Sequence, residues 1–100
     1  LNSPADTGPL AAEIRIAGEL YETLPLTEET QEIRLEGVGG YNLLRLEPDG
    51  VTMIAADCTS QECVRSGKQH LPGSMIACLP HQVLIKLVGK GEHDLDAITF

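Results

Sequence analysis

The chain has 100 residues, enough for one domain with a single modest hydrophobic core. It has no Trp, two Tyr and one Phe, so the core must be aliphatic, and 15 acidic residues against seven basic ones give a formal net charge of −8. Because phosphate groups attract clustered lysines and arginines, this acidic charge with its scattered basic residues argues against nucleic-acid binding and against simple docking to an anionic membrane surface.

The first residues have the composition of a linker, with Asn, Ser, Asp, Thr, Gly and two Pro before Leu10. Such residues are typical of tethers rather than cores. We expect residues 1–11 to be a poorly ordered tether and residues 12–100 to form one domain. No stretch of the sequence approaches the roughly 18 apolar residues of a membrane-spanning helix. We expect any signal peptide or membrane anchor to lie upstream of Leu1 and to have been removed.

Short segments of alternating apolar and polar residues follow one another along the chain, and each predicts a β-strand. The predicted strands lie at residues 13–17, 19–24, 31–36, 41–47, 51–56, 74–79, 82–88 and 95–100. Residues 27–30 form an acidic connection between two of them, which we interpret as a loop. Seven or eight short strands with regular turn signals predict an all-β fold, a small sandwich or barrel.

Three turn signals separate these strands. Gly18 stands alone between two alternating segments and predicts a tight hairpin corner. Pro48-Asp49-Gly50 predicts a turn between residues 41–47 and 51–56, because Pro presets φ and Gly tolerates the left-handed region. The glycines at positions 37, 39 and 40 predict a corner at which the backbone adopts positive φ.

A series of short motifs runs through the chain. They are Ile14–Gly18, Gly40–Asn42, Asp49–Val51, Cys58 with Cys63, Val64 and Gly67, Met75–His81 with Val83 and Ile85, and Asp96 with Ile98 and Thr99. With these motifs, residues 13–100 resemble the NusG domain II-like family of small bacterial proteins, which often carry an N-terminal membrane segment. The resemblance implies a compact β-fold like the insertion domain of some NusG transcription factors. It does not imply transcription, because a shared fold does not carry function.

The segment around the first two cysteines predicts a short helical turn. Thr59 or Ser60 can cap this turn, and Glu62 stands where a capping-box acid is expected. In such a turn the four-residue gap brings the thiols of Cys58 and Cys63 close to each other.

The three cysteines allow three interpretations. Cys58, Cys63 and Cys78 can be buried small apolar residues, as free cysteines commonly are. A disulfide, Cys58–Cys63 or one of these two with Cys78, would instead stabilise the aliphatic core, and the location outside the membrane that the resemblance implies favours it. The remaining thiol would then be free or would pair between chains.

The third interpretation is a metal site. The spacing Cys58-x4-Cys63-x14-Cys78-x2-His81 offers three thiolates and one imidazole, a ligand set that suits tetrahedral zinc. Rieske iron–sulfur domains also contain a Cys-x2-His pair, but their other pair is Cys-x-His, where this chain has Cys-x4-Cys. His81 also has a simpler interpretation, as a turn residue that precedes the next strand.

No residue pattern indicates catalysis. His70 and His93 lie in polar segments, where an exposed histidine is the ordinary case. The acidic trio Glu92, Asp94 and Asp96 lacks the ligand density of an EF-hand loop. We therefore expect no enzyme and no bound cofactor.

These observations predict a non-catalytic binding or accessory domain on the extracytoplasmic side of a bacterial membrane, tethered by an upstream segment. The expected partner is a protein or a small molecule rather than a nucleic acid, with the membrane reached only through the upstream anchor. Gly39, Gly40, Tyr41 and His81 form the predicted binding surface. The alternative is a redox or metal-binding domain (Zn or Fe–S) that uses the three cysteines and His81.

Overall fold

Seven strands and one short helix make up residues 10–89, which are the residues described by this computed structural model. The elements are β1 (Leu10–Ile16), β2 (Glu19–Pro25), β3 (Gln31–Gly37), β4 (Gly40–Glu47), β5 (Gly50–Ala56), α1 (Glu62–Arg65), β6 (Met75–Cys78) and β7 (Val83–Gly89). The predicted strand at residues 95–100 and the acidic trio lie outside this range. β1 begins at Leu10, two residues before the domain boundary that composition predicted.

The strands form two antiparallel sheets, with the order β2-β1-β7-β6 in one and β3-β4-β5 in the other. Inward-facing aliphatic residues of both sheets pack into a single core. Alternation explains this packing, because successive side chains of a strand point to opposite faces of its sheet. The largest fully buried aliphatic side chains are Ile14, Leu35, Leu44, Met53, Ile76, Ile85 and Leu87. The all-β prediction is confirmed, and the described residues form two open sheets rather than a closed barrel.

Two predicted hairpins are present. β4 and β5 pair from Asn42–Ala56 to Glu47–Gly50, around the predicted Pro-Asp turn. Between β1 and β2, Ala17 and Gly18 both have positive φ, 54° and 83°. Positive φ at both central residues matches the right-handed twist of the flanking strands, which favours a two-residue hairpin.

The glycine-rich corner differs in part from its prediction. Of its three glycines only Gly39 has positive φ, at 77°. Gly37 and Gly40 are required for space instead, because a Cβ at Gly37 would lie 2.7 Å from the carbonyl oxygen of His81, and a Cβ at Gly40 would overlap the His81 ring. Val38 donates its backbone N–H to the same His81 carbonyl at 2.9 Å. The corner therefore packs closely against His81.

The helical turn is present, but its predicted cap is wrong. α1 is preceded by Gln61 in the left-handed conformation, and no side chain caps the helix. Gln61 lies at the cap position instead, and its side-chain amide donates 2.7 Å hydrogen bonds to the carbonyls of Ala56 and Cys58. Within residues 10–89, no helix has the length and apolar character needed to cross a membrane.

Candidate metal or thiol site

Three elements bring the three cysteines together. Cys58 follows the end of β5, Cys63 lies in α1, and Cys78 ends β6. Helix α1 packs against both of those strands, so it holds Cys63 between the other two. The three side chains are 6%, 1% and 2% exposed, respectively. Their Sγ atoms all lie within 4.8 Å of one another, and the Cys58 and Cys63 sulfurs are 3.8 Å apart.

The loop between Cys58 and α1 is closed by one side chain. The Nε2 group of Gln61 donates to the carbonyl oxygens of Ala56 and Cys58 and lies 3.8 Å from the Cys58 sulfur. Gln61 has a φ of 59° and immediately precedes α1, which begins six residues after the end of β5. This local geometry places the Cys58 thiol beside that of Cys63.

The pKa values of the Cys63 and Cys58 thiols are shifted in opposite directions. Burial, together with the neighbouring thiols of Cys58 and Cys78, raises the pKa of Cys63 to about 12. Burial also opposes ionisation of Cys58, but hydrogen bonds from the Gln61 backbone N–H and from the Cys78 and Cys63 thiols outweigh it and lower the pKa of Cys58. Of these two thiols, Cys58 therefore ionises more readily than Cys63.

Beside the cysteines lies a buried polar pair. Asn42 is fully buried in β4 and His81 is 5% exposed. The Nδ1 atom of His81 is 2.9 Å from Asn42 Oδ1, and Asn42 Nδ2 donates to Cys63 Sγ at 3.6 Å. Among the described residues, the group of ligand atoms close enough to share one metal ion consists of the three thiols. His81 is not in that group, because Asn42 stands between its ring and the sulfur of Cys63.

The residues predicted as a binding surface do adjoin one another, around Asp57. The Tyr41 backbone N–H donates to Asp57 Oδ1 at 3.0 Å, and the same oxygen is 3.3 Å from His81 Nε2. Gly40 lies over the His81 ring and Gly39 is exposed. His81 is therefore beneath this surface rather than part of it, and the surface itself stays a prediction.

The sequence did not single out Asn42, Gln61 or the carboxylate of Asp57 as site residues. One signal for Asn42 was available, since it occupies an inward position of β4 in register with the buried Leu44 and Leu46. A polar residue at a core position requires a buried partner. His70 is exposed, as predicted.

Several solved structures share this fold. The Lin0431 protein from Listeria innocua superposes with a TM-score of 0.73 at 24% identity, covering 80% of this chain and 95% of its own. A DUF1312 family protein from Enterococcus faecalis gives a TM-score of 0.71 at 27% identity, with 78% of this chain and 94% of its own covered. The curated proteins contain no match to the chain.

Two further comparisons bear on the family. A DUF1312 family protein from Ruminococcus gnavus is 32% identical over 80% of this chain and 99% of its own, with a TM-score of 0.67. The family model for NusG domain II matches residues 1–91. This match spans most of the chain and agrees with the motifs in the sequence and with the two-sheet fold. The chain belongs to the NusG domain II family of bacterial proteins.

Proposed function

We propose that the domain binds one soft metal ion through Cys58, Cys63 and Cys78, as a non-catalytic accessory module. The observation that carries this proposal is the spacing of the three sulfurs. Thiolates bound at about 2.3 Å to a tetrahedral metal ion lie about 3.8 Å from one another. The Cys58 and Cys63 sulfurs are already 3.8 Å apart, and Cys78 completes a group within 4.8 Å. Small side-chain movements would close the site on an ion.

The surroundings of the sulfurs support the same proposal. Side-chain amides of Asn42 and Gln61 lie 3.6 Å and 3.8 Å from the sulfurs of Cys63 and Cys58, respectively. Such N–H groups orient thiolate ligands and stabilise their charge. Because the pKa of Cys63 stands at about 12 without a metal, we expect binding to release protons and to strengthen as pH rises.

The donor set defines the class of metal. Three sulfur ligands select soft or borderline ions such as Cu(I) and Zn(II), whereas Mg(II) and Ca(II) require oxygen ligands. Three thiolates satisfy Cu(I), while Zn(II) would take a fourth ligand from water or from another molecule.

The experiment is a metal titration of the reduced protein without oxygen. Native mass spectrometry after addition of Zn(II) or Cu(I) should show one bound ion, and Cd(II) should add a thiolate-to-metal charge-transfer band. Single Cys→Ser variants at positions 58, 63 and 78 should each weaken binding strongly, whereas His70→Gln, at an exposed position, should not. Circular dichroism checks that each variant is folded. An unaltered affinity in all three serine variants would contradict the proposal.

A second candidate is a structural disulfide between Cys58 and Cys63, favoured by their 3.8 Å contact. Bond formation would bring the sulfurs to about 2.05 Å and leave Cys78 as a thiol. Intact mass separates the two candidates on protein purified without reductant or chelator. A denatured mass lower by two hydrogens, with no metal in the native spectrum, would favour the disulfide.

We also propose that the domain works outside the cytoplasm, tethered by an upstream segment, and that it binds a protein or small molecule rather than nucleic acid. The linker-like first residues and the family resemblance support the tether, and the charge of −8 argues against nucleic acid. Fractionation of cells that carry the native full-length protein tests the location. Recovery of that protein from the cytosol alone would contradict it, and salt-dependent retention on heparin would contradict the exclusion of nucleic acid.

A further inference from the structure

A series of polar contacts leads from the surface of the domain to the Cys63 sulfur. The half-exposed Asp57 carboxylate places Oδ1 3.3 Å from His81 Nε2. On the other side of the ring, His81 Nδ1 is 2.9 Å from Asn42 Oδ1. Asn42 Nδ2 then donates to Cys63 Sγ at 3.6 Å. None of the described residues has a buried side-chain nitrogen or oxygen atom without a hydrogen-bond partner.

The surrounding backbone fixes the position of the His81 ring. Gly37 lies against the His81 backbone, and Gly40 lies against its ring. The His81 carbonyl accepts the Val38 N–H at 2.9 Å, which ties the turn between β6 and β7 to the corner between β3 and β4. The ring therefore presents its two nitrogens in fixed directions, one to Asp57 and one to Asn42.

The orientation of the Asn42 amide depends on what faces its oxygen. A side-chain amide can turn by half a rotation, which exchanges its donor and acceptor ends. Turned that way, Asn42 would present Oδ1 to the Cys63 sulfur, and once a bound metal had displaced the thiol proton, two electron-rich atoms would face each other. An N–H at His81 Nδ1 would prevent this, because it would donate to Oδ1 over the observed 2.9 Å and leave Nδ2 to face the sulfur.

We infer that His81 is a positioning residue for the cysteine cluster: it orients the Asn42 amide so that Nδ2 donates to Cys63 Sγ. This inference rests on the proposed metal function and goes beyond it, since it assigns His81 a role without making it a ligand. An N–H donor at a metal-bound sulfur stabilises the thiolate, and removal of such an outer hydrogen bond typically weakens metal binding about 10- to 100-fold.

Two substitutions at one position separate positioning from general packing. The amide nitrogen of Asn stands near the place of a His Nδ1, and that of Gln near the place of a His Nε2. His81→Asn therefore keeps a donor for Asn42, whereas His81→Gln keeps one for Asp57. We expect the Cd(II) dissociation constant to rise at least about tenfold in His81→Gln and Asn42→Leu, and to stay within about threefold of wild type in His81→Asn.

The matched control is Val38→Ala, which shortens an exposed side chain at the same corner but keeps the backbone N–H that donates to the His81 carbonyl. It should leave Cd(II) affinity and the charge-transfer band unchanged. Urea unfolding of every variant separates a loss of affinity from a loss of stability. Equal affinities in His81→Asn and His81→Gln would overturn the inference.

A second measurement needs no metal. The side-chain amide protons of Asn42, followed by NMR in the reduced protein, should exchange slowly in wild type and in His81→Asn, and faster in His81→Gln. If wild type binds no metal, the proposed function fails, and this exchange pattern still decides whether His81 orients Asn42. Equal exchange rates in all three proteins would overturn the inference.

Discussion

Two glycines, at the turn before β2 and at the end of β3, occupy hairpin corners for opposite reasons. Gly18 has a φ of 83°, and a Cβ built on it meets nothing within 4 Å. Gly37 has ordinary φ, yet a Cβ there would lie 2.7 Å from the His81 carbonyl oxygen and 2.9 Å from Val83. The first glycine serves the conformation of its own turn. The second serves contacts between distant parts of the chain.

The regions around these glycines differ in the same way. Strand β2 lies at a sheet edge with almost every side chain exposed, including Leu20 at 54% and Tyr21 at 57%. Around Gly37, in contrast, His81 and Asn42 are buried and contact each other. When a substitution on β2 exposes a polar group, water can form the lost hydrogen bond. A polar group buried beside His81 has no such replacement when its hydrogen-bond partner is removed. Substitutions in the two regions should therefore have very different effects.

The largest effect is expected from Gly37→Ala. The added methyl group would meet the His81 backbone rather than the end of a flexible side chain. This clash can be relieved only if the corner between β3 and β4 moves away from the turn between β6 and β7. We expect a loss of about 2–3 kcal/mol in the free energy of unfolding, measured in urea. Gly89→Ala is the control, because its Cβ would make ordinary 3.8 Å contacts with Pro72. It should cost nothing, and equal behaviour of the two variants would contradict the packing of His81 on Gly37.

A smaller effect is expected for the coupling between Asn42 and His81. A double-mutant cycle with Asn42→Ala and His81→Ala should give an interaction energy of about 1.5 kcal/mol, because both partners are buried. The exposed pair Arg45–Glu32, at 2.9 Å, should give about 0.5 kcal/mol or less. Equal coupling energies would show that the buried hydrogen bond is not formed in solution.

The same contrast explains how much could be predicted from the sequence. The hairpin of β4 and β5 was predictable because alternation and the Pro48-Asp49-Gly50 turn act over neighbouring residues. The contact of His81 with Asn42 joins residues 39 positions apart, and no local pattern encodes it. The cysteines were recognisable as a group, but which ligands meet depends on the packing of α1 between β5 and β6.

The cap of α1 failed for a different physical reason. Thr59 and Glu62 satisfy the capping-box pattern, which takes account only of the hydrogen bonds at the helix end. In the folded chain, the carbonyls of Ala56 and Cys58 also require donors, and the Gln61 amide supplies them. The residue at the cap position therefore makes its side-chain hydrogen bonds to the segment that follows β5 rather than to the helix.

The pH dependence of the free energy of unfolding tests the raised pKa of Cys63, and the expected effect is smaller than the coupling energy between Asn42 and His81. An unfolded cysteine ionises near pH 8.5, whereas the folded Cys63 thiol keeps its proton up to a pKa of about 12. Between these values the unfolded chain binds fewer protons, so stability falls as pH rises. In the reduced, metal-free protein, we expect the free energy of unfolding to fall by about 0.7 kcal/mol more between pH 8 and pH 9 than it does in Cys63→Ala. Parallel curves for the two proteins would contradict the raised pKa of Cys63.

The smallest effect is expected at the exposed edge, where Leu20→Thr and Tyr21→Thr replace large side chains on β2. Thr retains the preference for extended backbone, and both native side chains are more than half exposed. Each substitution should therefore change the free energy of unfolding by less than about 0.5 kcal/mol. A loss above about 1 kcal/mol would mean that another surface covers β2 in solution. Repeating the urea unfolding at a tenfold different protein concentration would then identify that surface, because coverage by a second copy makes the midpoint depend on concentration, whereas coverage within one chain does not.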